Sequence, residues 1–239
     1  NGRTVQAVSG EALDELGGRG FAADLLVLVG VIGGQVGPQR QEWRRCHDQV
    51  DGCVGDLGES IERNYKPLIL TLRSLPMPVI AAVNGVAAGA GASIAMACDL
   101  VIASDKASFL IPFSKIGLIP DTGASWHLPR AVGQARAMGL ALTARKLSAQ
   151  QAADWGLIWE TVAADAFETH VTEVAEQLAI MPTRALVETR EAIKSAGDRT
   201  LEAHLSFEAE MMARLGRSDD YIEGVAAFLE KRAPNFKGL

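Results

Sequence analysis

The stretch VIAAVNGVAAGAGASIAMACD, residues 79–99, contains the features that decide how this chain folds. It overlaps a window, residues 74–98, in which no side chain is charged, although 22% of the whole chain is charged. An apolar stretch of about 20 residues can cross a bilayer as a helix, but prolines and glycines interrupt this window and most of its side chains are small. The window therefore predicts two short buried elements, a strand over 78–83 and a helix over 89–98.

The predicted helix opens with the small residues GAGAS at positions 89–93. The first backbone N–H groups of a helix have no partner within the helix, and the helix dipole favours negative charge beside them. Because side-chain bulk is missing, a ligand oxygen could approach these amides, as an oxyanion hole requires. The same small residues would also let a helix pack closely in a core. Both interpretations follow from the pattern.

Predicted strands and helices alternate along the rest of the chain. Strands are predicted over 25–32, 99–103, 108–111 and 156–162, and helices over 10–17, 57–75, 122–131, 134–143 and after Ser148, which begins a capping box with Gln151. From residue 164 onward the pattern is helical, over 166–180, 184–195, 201–215 and 219–232. We therefore expect an α/β core over residues 1–163 and a C-terminal helical region over 164–239.

The composition indicates a folded protein and excludes several functional classes. The chain has 239 residues, is 48% hydrophobic and carries a net charge of −6. This apolar content excludes a disordered chain, and the acidic balance argues against a general nucleic-acid binder, which needs a basic face. The first residues also lack the basic-then-apolar pattern of a signal peptide.

The cysteines predict reduced thiols and a cytoplasmic location. The chain has an odd number of cysteines, Cys46, Cys53 and Cys98, and they form no CxxC motif. Cys46, His47 and Cys53 come nearest to a metal cluster, but they lack the spacing of a zinc site. No metal is therefore expected.

One carboxylate, Asp121, lies in the turn-forming sequence KIGLIPDTGAS at residues 115–125. Pro120 and Gly123 favour a turn, which makes Asp121 a candidate N-cap of the following helix. A carboxylate beside apolar residues could equally be a general base whose pKa is set by burial. The sequence contains neither the GxSxG nucleophile motif nor a glycine-rich phosphate-binding motif.

Three blocks of sequence resemble a known family. Residues 79–99, GLIPDTGASWHLPR at 117–130 and FLEKRAPNFKG at 228–238 are similar to the enoyl-CoA hydratase/isomerase (crotonase) superfamily. DLGESIERNY at 56–65 and GLALTARKLSAQQAADWGLIW at 139–159 look most like the subgroup that isomerises aromatic ring epoxides of acyl-CoA thioesters. The resemblance implies an α/β, crotonase-like spiral of ββα units. Its C-terminal helical region would build a homo-oligomer, a trimer or a hexamer.

The resemblance also implies an acyl-CoA thioester as the substrate. No separate cofactor is expected, because coenzyme A is part of that substrate. In the family the thioester oxygen lies between two backbone N–H groups, one of which corresponds to Ala90, between Gly89 and Gly91. Phe228 and Lys231 correspond to residues that approach the CoA phosphates of a neighbouring subunit, although Lys231 could otherwise belong to a solvated helix end.

The second N–H donor of the family follows the first predicted strand. Here that strand is followed by QVGPQRQEW at residues 35–43, which departs from the family's pattern. Aligned by the shared glutamine, the donor would be Gln39, and Arg40 stands where the family has aspartate.

Finally, the resemblance suggests which reaction the chain catalyses. Hydratases of the family carry glutamates at the positions of Ser93 and Phe113, so the carboxylates that activate water are replaced, and Phe113 would contact the substrate. Asp121 matches the working aspartate of several family isomerases and would shuttle a proton through an enolate. We therefore expect an acyl-CoA isomerase acting on a ring epoxide or a Δ3-enoyl-CoA. Hydration or hydrolysis, and an inactive CoA-binding subunit, are the alternatives.

Overall fold

The computed structural model describes the backbone of Thr4–Val8 and Leu25–Val31, and residues 56–238. The strands are β1 (Thr4–Val8), β2 (Leu25–Val31), β3 (Val79–Val83), β4 (Val86–Ala88), β5 (Leu100–Ser104), β6 (Ser108–Leu110), β7 (Leu147–Ser148) and β8 (Glu160–Val162). The α-helices are α1 (Leu57–Ser60), α2 (Lys66–Ser74), α3 (Ala90–Ala97), α4 (Ala124–Val132), α5 (Gln134–Thr143), α6 (Ala149–Asp154), α7 (Phe167–Ala179), α8 (Thr183–Ser195), α9 (Leu201–Leu215) and α10 (Asp219–Glu230). The helix predicted over 10–17 and the Cys46, His47 and Cys53 group lie outside the described residues.

The strands form two sheets, and strands that follow one another along the chain are divided between them. In the larger sheet the order is β1-β2-β3-β5-β8; β2 is antiparallel to β1 and β3, whereas β3, β5 and β8 are parallel. In the smaller sheet β4 is parallel to β6, which is antiparallel to β7. The chain thus passes from β3 to β4 and then into α3, which is the ββα order that the resemblance implies. The sequence predicts only a turn where β4 lies.

Strand β3 is buried on both faces, which explains its lack of polar residues. Val79, Ala81 and Val83 belong to the main core, while Ile80 and Ala82 belong to a second cluster with residues of α7. Successive side chains of a strand point to opposite faces, so the two sets lie on opposite sides of the sheet. The uncharged window therefore contains a core strand, as predicted.

The helix predicted over 57–75 is present but contains a widened turn. A π-helical segment, Ile61–Tyr65, joins α1 to α2, and the Lys66 N–H donates to the Ile61 carbonyl, five residues back. Pro67, the next residue, has no N–H to donate. The amphipathic pattern is confirmed, because Ile69 and Leu72 are buried while polar side chains of α2 face outward.

A cluster of ion pairs connects α8 to Asp99, the residue that directly follows the uncharged window. The Asp99 carboxylate lies 3.2 Å from Arg190 Nη1 and 2.5 Å from Lys194 Nζ. Arg190 also donates to the carbonyls of Leu75 and Met77 at 2.5 and 2.9 Å. All three charged side chains are largely buried, so this cluster replaces water around each of them.

The helical character of the C-terminal part is confirmed, and two of its helices expose apolar rows. On α9 and α10 the large exposed apolar side chains are Leu201, Leu205, Met212, Tyr221, Ile222, Val225, Phe228 and Leu229. By contrast, α7 packs on the larger sheet through Phe167, Val171 and Ala175. In the described part of the chain, no helix is both long and apolar enough to span a membrane.

Candidate active site

Helix α3 begins at a glycine whose backbone conformation other residues rarely adopt. Gly89 has φ +55° and ψ −124°, and its N–H donates to the Leu110 carbonyl at 3.0 Å. A residue with a Cβ would be strained at this φ. Gly89 thus turns the chain from β4 into α3, whose residues Gly91, Ala92 and Ser93 are all buried. The small residues predicted for this helix let it pack closely inside the core.

The Ala90 amide is the first of α3 and has no acceptor within the helix. Among the backbone hydrogen bonds of residues 56–238, none is donated by Ala90, whereas its neighbour Gly89 donates to β6. The positive end of the helix dipole also lies here. An oxygen that carries partial negative charge is therefore a suitable acceptor for this N–H.

Ser93 joins the first turn of α3 to the turn that contains Asp121. Its side chain is fully buried, and Oγ lies 3.1 Å from the Gly89 carbonyl oxygen and 3.2 Å from the Asp121 carbonyl oxygen. A hydroxyl carries one proton, which these two acceptors share. The structure thus brings Asp121 together with the Gly89–Ser93 turn, 28 residues away in sequence.

The candidate base Asp121 does not cap the helix that follows it. Helix α4 has Gly123, with φ +84°, as its N-cap residue, and no side chain caps it. The Asp121 carbonyl, rather than its carboxylate, accepts from the Ala124 N–H at 2.8 Å. The N-cap interpretation of Asp121 is therefore wrong, because the turn holds the residue through its main chain. The carboxylate is left half-buried.

Thr122 contacts the candidate carboxylate directly. Its hydroxyl donates to Asp121 Oδ1 at 2.9 Å, and its own side chain is buried. The backbone φ of Thr122 is +53°, in the left-handed region that β-branched residues avoid. Thr122 was not among the residues predicted from the sequence, although a hydroxyl next to a carboxylate in a proline–glycine turn is a signal that could have identified it.

Phe113 lies over the start of α3. It is buried in a 3₁₀ turn, Phe113–Ile116, that follows β6. A Cβ placed on Gly89 would lie 3.8 Å from Phe113 Cζ, so the ring tip approaches Gly89. The side chain at the position that the resemblance matches to a hydratase glutamate is thus apolar, and it lies beside the first turn of α3.

A histidine of α4 packs against the same turn. A Cβ placed on Gly123 would lie 3.2 Å from His127 Cδ2, so the imidazole occupies the space beside this glycine. Burial, together with the positive charges of Arg73, Lys194 and Arg130, lowers the pKa of His127 to about 4. His127 is therefore uncharged at neutral pH. His127 falls within the helix predicted over 122–131, but its position relative to Asp121 could not be read from the sequence.

The remaining predicted site residues lie elsewhere. Gln39 is outside the described residues. Phe228 is 82% exposed on α10, and Lys231, with φ +54°, ends that helix. Within residues 56–238 no hydrogen bond, ion pair or ring contact joins these two residues to Asp121. The described residues also contain no group of three or more potential metal ligands.

The chain matches one protein family over most of its length. Residues 48–239 match the family described as enoyl-CoA hydratase/isomerase. The chain belongs to this family. A 1,2-epoxyphenylacetyl-CoA isomerase of Escherichia coli strain K12 is 51% identical over 187 residues, which are 78% of this chain and 71% of that protein.

Other members of the family differ in their named reactions. A protein of Rhodobacter capsulatus named as a probable enoyl-CoA hydratase is 49% identical over 80% of this chain and 75% of its own length. The crystal structure of an enoyl-CoA hydratase from Bacillus anthracis superposes with a TM-score of 0.72 at 34% identity, covering 77% of this chain and 73% of that one. The chain is thus a crotonase-fold enzyme, and its reaction depends on the side chains at the site.

Proposed function

We propose that this enzyme is an acyl-CoA isomerase that uses Asp121 as its single proton shuttle. The Ala90 N–H would hold the thioester oxygen, and Asp121 would move a proton of the bound acyl group. The substrate is an aromatic ring epoxide, 2-(1,2-epoxy-1,2-dihydrophenyl)acetyl-CoA, or a Δ3-enoyl-CoA. The name of the 51% identical Escherichia coli relative supports the first of these substrates.

The observation that carries this proposal is the contact through Ser93. The Ser93 hydroxyl lies within 3.2 Å of both the Gly89 and the Asp121 carbonyls, so the turn with the carboxylate lies against the start of α3. A thioester whose oxygen binds at Ala90 would have its α-carbon close to that oxygen. A carboxylate held beside the same helix turn is suited to take the α-proton.

The proposed reaction needs one carboxylate and one stabilised oxygen. Asp121 removes a proton from the α-carbon, and the electron pair of the broken C–H bond forms an enolate whose negative charge lies on the thioester oxygen. Hydrogen bonds from backbone amides stabilise that charge. Protonated Asp121 then returns the proton to the γ-carbon of a Δ3-enoyl-CoA, which shifts the double bond and restores the carboxylate.

Hydration is the second candidate, because the 49% identical Rhodobacter relative is named as a probable hydratase. Against it, Ser93 and Phe113 occupy the positions where the hydratases of this family carry glutamates, and Phe113 is a buried ring. Neither side chain can remove a proton from water. Asp121 would have to activate water alone.

Coenzyme A enters this proposal as part of the substrate, and no separate cofactor is required. Gln39 remains the predicted second donor to the thioester oxygen. Phe228 and Lys231 remain predicted contacts to the CoA phosphates of a neighbouring subunit in a trimer or hexamer. An exposed position of Phe228 on α10 is compatible with contact to another chain.

The test is turnover by the wild-type enzyme and by Asp121→Asn. Each protein is given the ring epoxide of phenylacetyl-CoA, a Δ3-enoyl-CoA and crotonyl-CoA, and the products are separated from the substrates by liquid chromatography and identified by mass spectrometry. We expect isomers of unchanged mass from the first two, and a loss of about 10³-fold in kcat for the variant. Asp165→Asn, which removes the same charge from an exposed loop position, is the matched control and should keep full activity.

Three results would refute the proposal. Addition of one water molecule to crotonyl-CoA as the main reaction would favour hydration. Full isomerase activity in Asp121→Asn would exclude the assigned base. Binding of all three thioesters without any conversion would instead indicate the inactive CoA-binding subunit.

A further inference from the structure

The backbone of Thr122 is strained without the usual structural reason. Three non-glycine residues of the described chain have positive φ: Thr122, Ala144 and Lys231. Ala144 and Lys231 each end a helix, α5 and α10, where a left-handed residue is common. Thr122 ends no helix, and it is β-branched, the kind of residue that this conformation tolerates least. Strain of this kind persists only where the surroundings fix it.

The surroundings of Thr122 do fix the turn. The Asp121 carbonyl accepts from the Ala124 N–H at 2.8 Å and from Ser93 Oγ at 3.2 Å. Gly123 continues with φ +84° against the His127 ring. Thr122 itself is 5% exposed. The main chain on both sides of Thr122 is thus held, and its buried hydroxyl points in one direction in the structure.

That direction is towards the candidate base. Thr122 Oγ1 donates to Asp121 Oδ1 at 2.9 Å, and within residues 56–238 no donor is hydrogen-bonded to Oδ2. A glycine in this place would remove the backbone strain, but it would also remove the hydroxyl. Among residues 56–238, the strained Thr122 therefore supplies the one side-chain hydrogen bond to the carboxylate.

We propose that Thr122 is the positioning residue of Asp121, and that its hydroxyl occupies Oδ1 so that Oδ2 exchanges the proton with the substrate. This inference rests on the proposed role of Asp121 as the proton shuttle. An unanchored carboxylate would rotate about its Cβ–Cγ bond and spend less time in the reactive orientation. Because Thr122 acts through Asp121, its loss should lower kcat and leave KM nearly unchanged.

The experiment compares two pairs of residues at position 122 that differ in the hydroxyl. Thr and Val have the same shape, and Ser and Ala form a second pair without the β-branch. The probes are isomerisation of trans-3-hexenoyl-CoA and exchange of the α-protons of phenylacetyl-CoA in D₂O, followed by proton NMR. Thermal unfolding of each variant checks that it folds.

We expect the hydroxyl to set activity in both pairs. Thr122→Val should lower kcat by about tenfold with KM within about twofold of wild type, since a hydrogen bond to a charged group is lost. Thr122→Ser should keep kcat within about threefold of wild type, and Thr122→Ala should fall about tenfold below Thr122→Ser. In an Asp121→Asn background, Thr122→Val should have no further effect.

Each contrary result has a distinct meaning. Equal kcat in wild type and Thr122→Val, or in Thr122→Ser and Thr122→Ala, overturns the positioning role. If kcat of Thr122→Ser falls as far as that of Thr122→Val, only the shape of the buried side chain matters, and the positioning role is again overturned. If Asp121→Asn keeps wild-type turnover, or the wild-type enzyme neither isomerises nor exchanges, the proposed function fails. If Asp121→Asn loses activity while the Thr122 variants keep it, the proposed function stands and only the positioning role of Thr122 is refuted.

Discussion

At the scale of single residues, Ser93 has a measurable structural role. Its buried hydroxyl bonds the Gly89 and Asp121 carbonyls. We expect Ser93→Ala to lower the free energy of unfolding by about 1 kcal/mol, the net value of a lost hydrogen bond, and to lower kcat more than it raises KM. Urea unfolding and steady-state kinetics measure the two effects.

Ser108→Ala is the matched control for this prediction. Ser108 is also buried, but its Oγ has no hydrogen-bond partner in the structure as described. The same deletion of one oxygen should therefore be neutral or slightly stabilising there. Equal losses of stability at the two serines would contradict the link between α3 and the Asp121 turn.

His127 gives a prediction about pH. Its pKa is lowered from 6.5 to about 4 in the folded protein, first by burial and then by Arg73, Lys194 and Arg130. Below pH 6.5 His127 is protonated in the unfolded chain but stays neutral in the folded chain. The free energy of unfolding is therefore lost as the pH falls towards 4. His127→Leu should lose less stability than wild type over this window in urea titrations. An unchanged pH slope in the variant would show that His127 titrates normally.

At the scale of elements, the predictability of each segment follows its periodicity. The helix at 57–75 was predictable because its apolar residues recur at helical spacing, and the capping of α6 was predictable because Ser148 accepts from the Gln151 N–H as a capping box requires. Strand β4 has three residues, too few to show a period, and only its pairing with β6 defines it.

The candidate site was predictable in part, for a related physical reason. The small residues of α3 signal close backbone approach, and the turn around Asp121 follows from its proline and glycine. What the sequence does not contain is the direction of each side chain. The Asp121 carboxylate looked like an N-cap, but Gly123 takes that position, and the contact between Ser93 and Asp121 depends on tertiary packing.

The cluster at Asp99 carries a prediction about how α8 is attached. Arg190 and Lys194 share this carboxylate, and both cations are largely buried. Removing one partner of a buried ion pair leaves uncompensated charge, so Asp99→Asn should lower the unfolding free energy by about 3–5 kcal/mol. Asp105→Asn is the control, because Asp105 pairs with an exposed lysine at 3.6 Å and should cost about 1 kcal/mol or less. Chemical denaturation compares them, and equal costs would contradict the role of Asp99.

At the scale of the whole molecule, the exposed apolar row on α9 bears on assembly. Leu201, Leu205 and Met212 are 75%, 55% and 69% exposed, and their spacing puts them on one face of the helix. Soluble monomers rarely expose large contiguous apolar patches, so we expect this face to contact another chain in a trimer or hexamer. Light scattering should therefore give three or six times the chain mass of 25.3 kDa.

A charge on that face should break the assembly. Leu205→Lys puts an ammonium group into the expected interface and should shift the mass towards the monomer, whereas Ala203→Lys adds the same charge on the opposite face of α9 and should leave the mass unchanged. Phe228 and Lys231 are predicted to contact the CoA phosphates bound at a neighbouring subunit. Dissociation should therefore also raise KM for the acyl-CoA. A monomeric wild type, or equal masses for the two lysine variants, would exclude α9 from the subunit contact. An unchanged KM in a dissociated enzyme would mean that the CoA phosphates are bound within one chain.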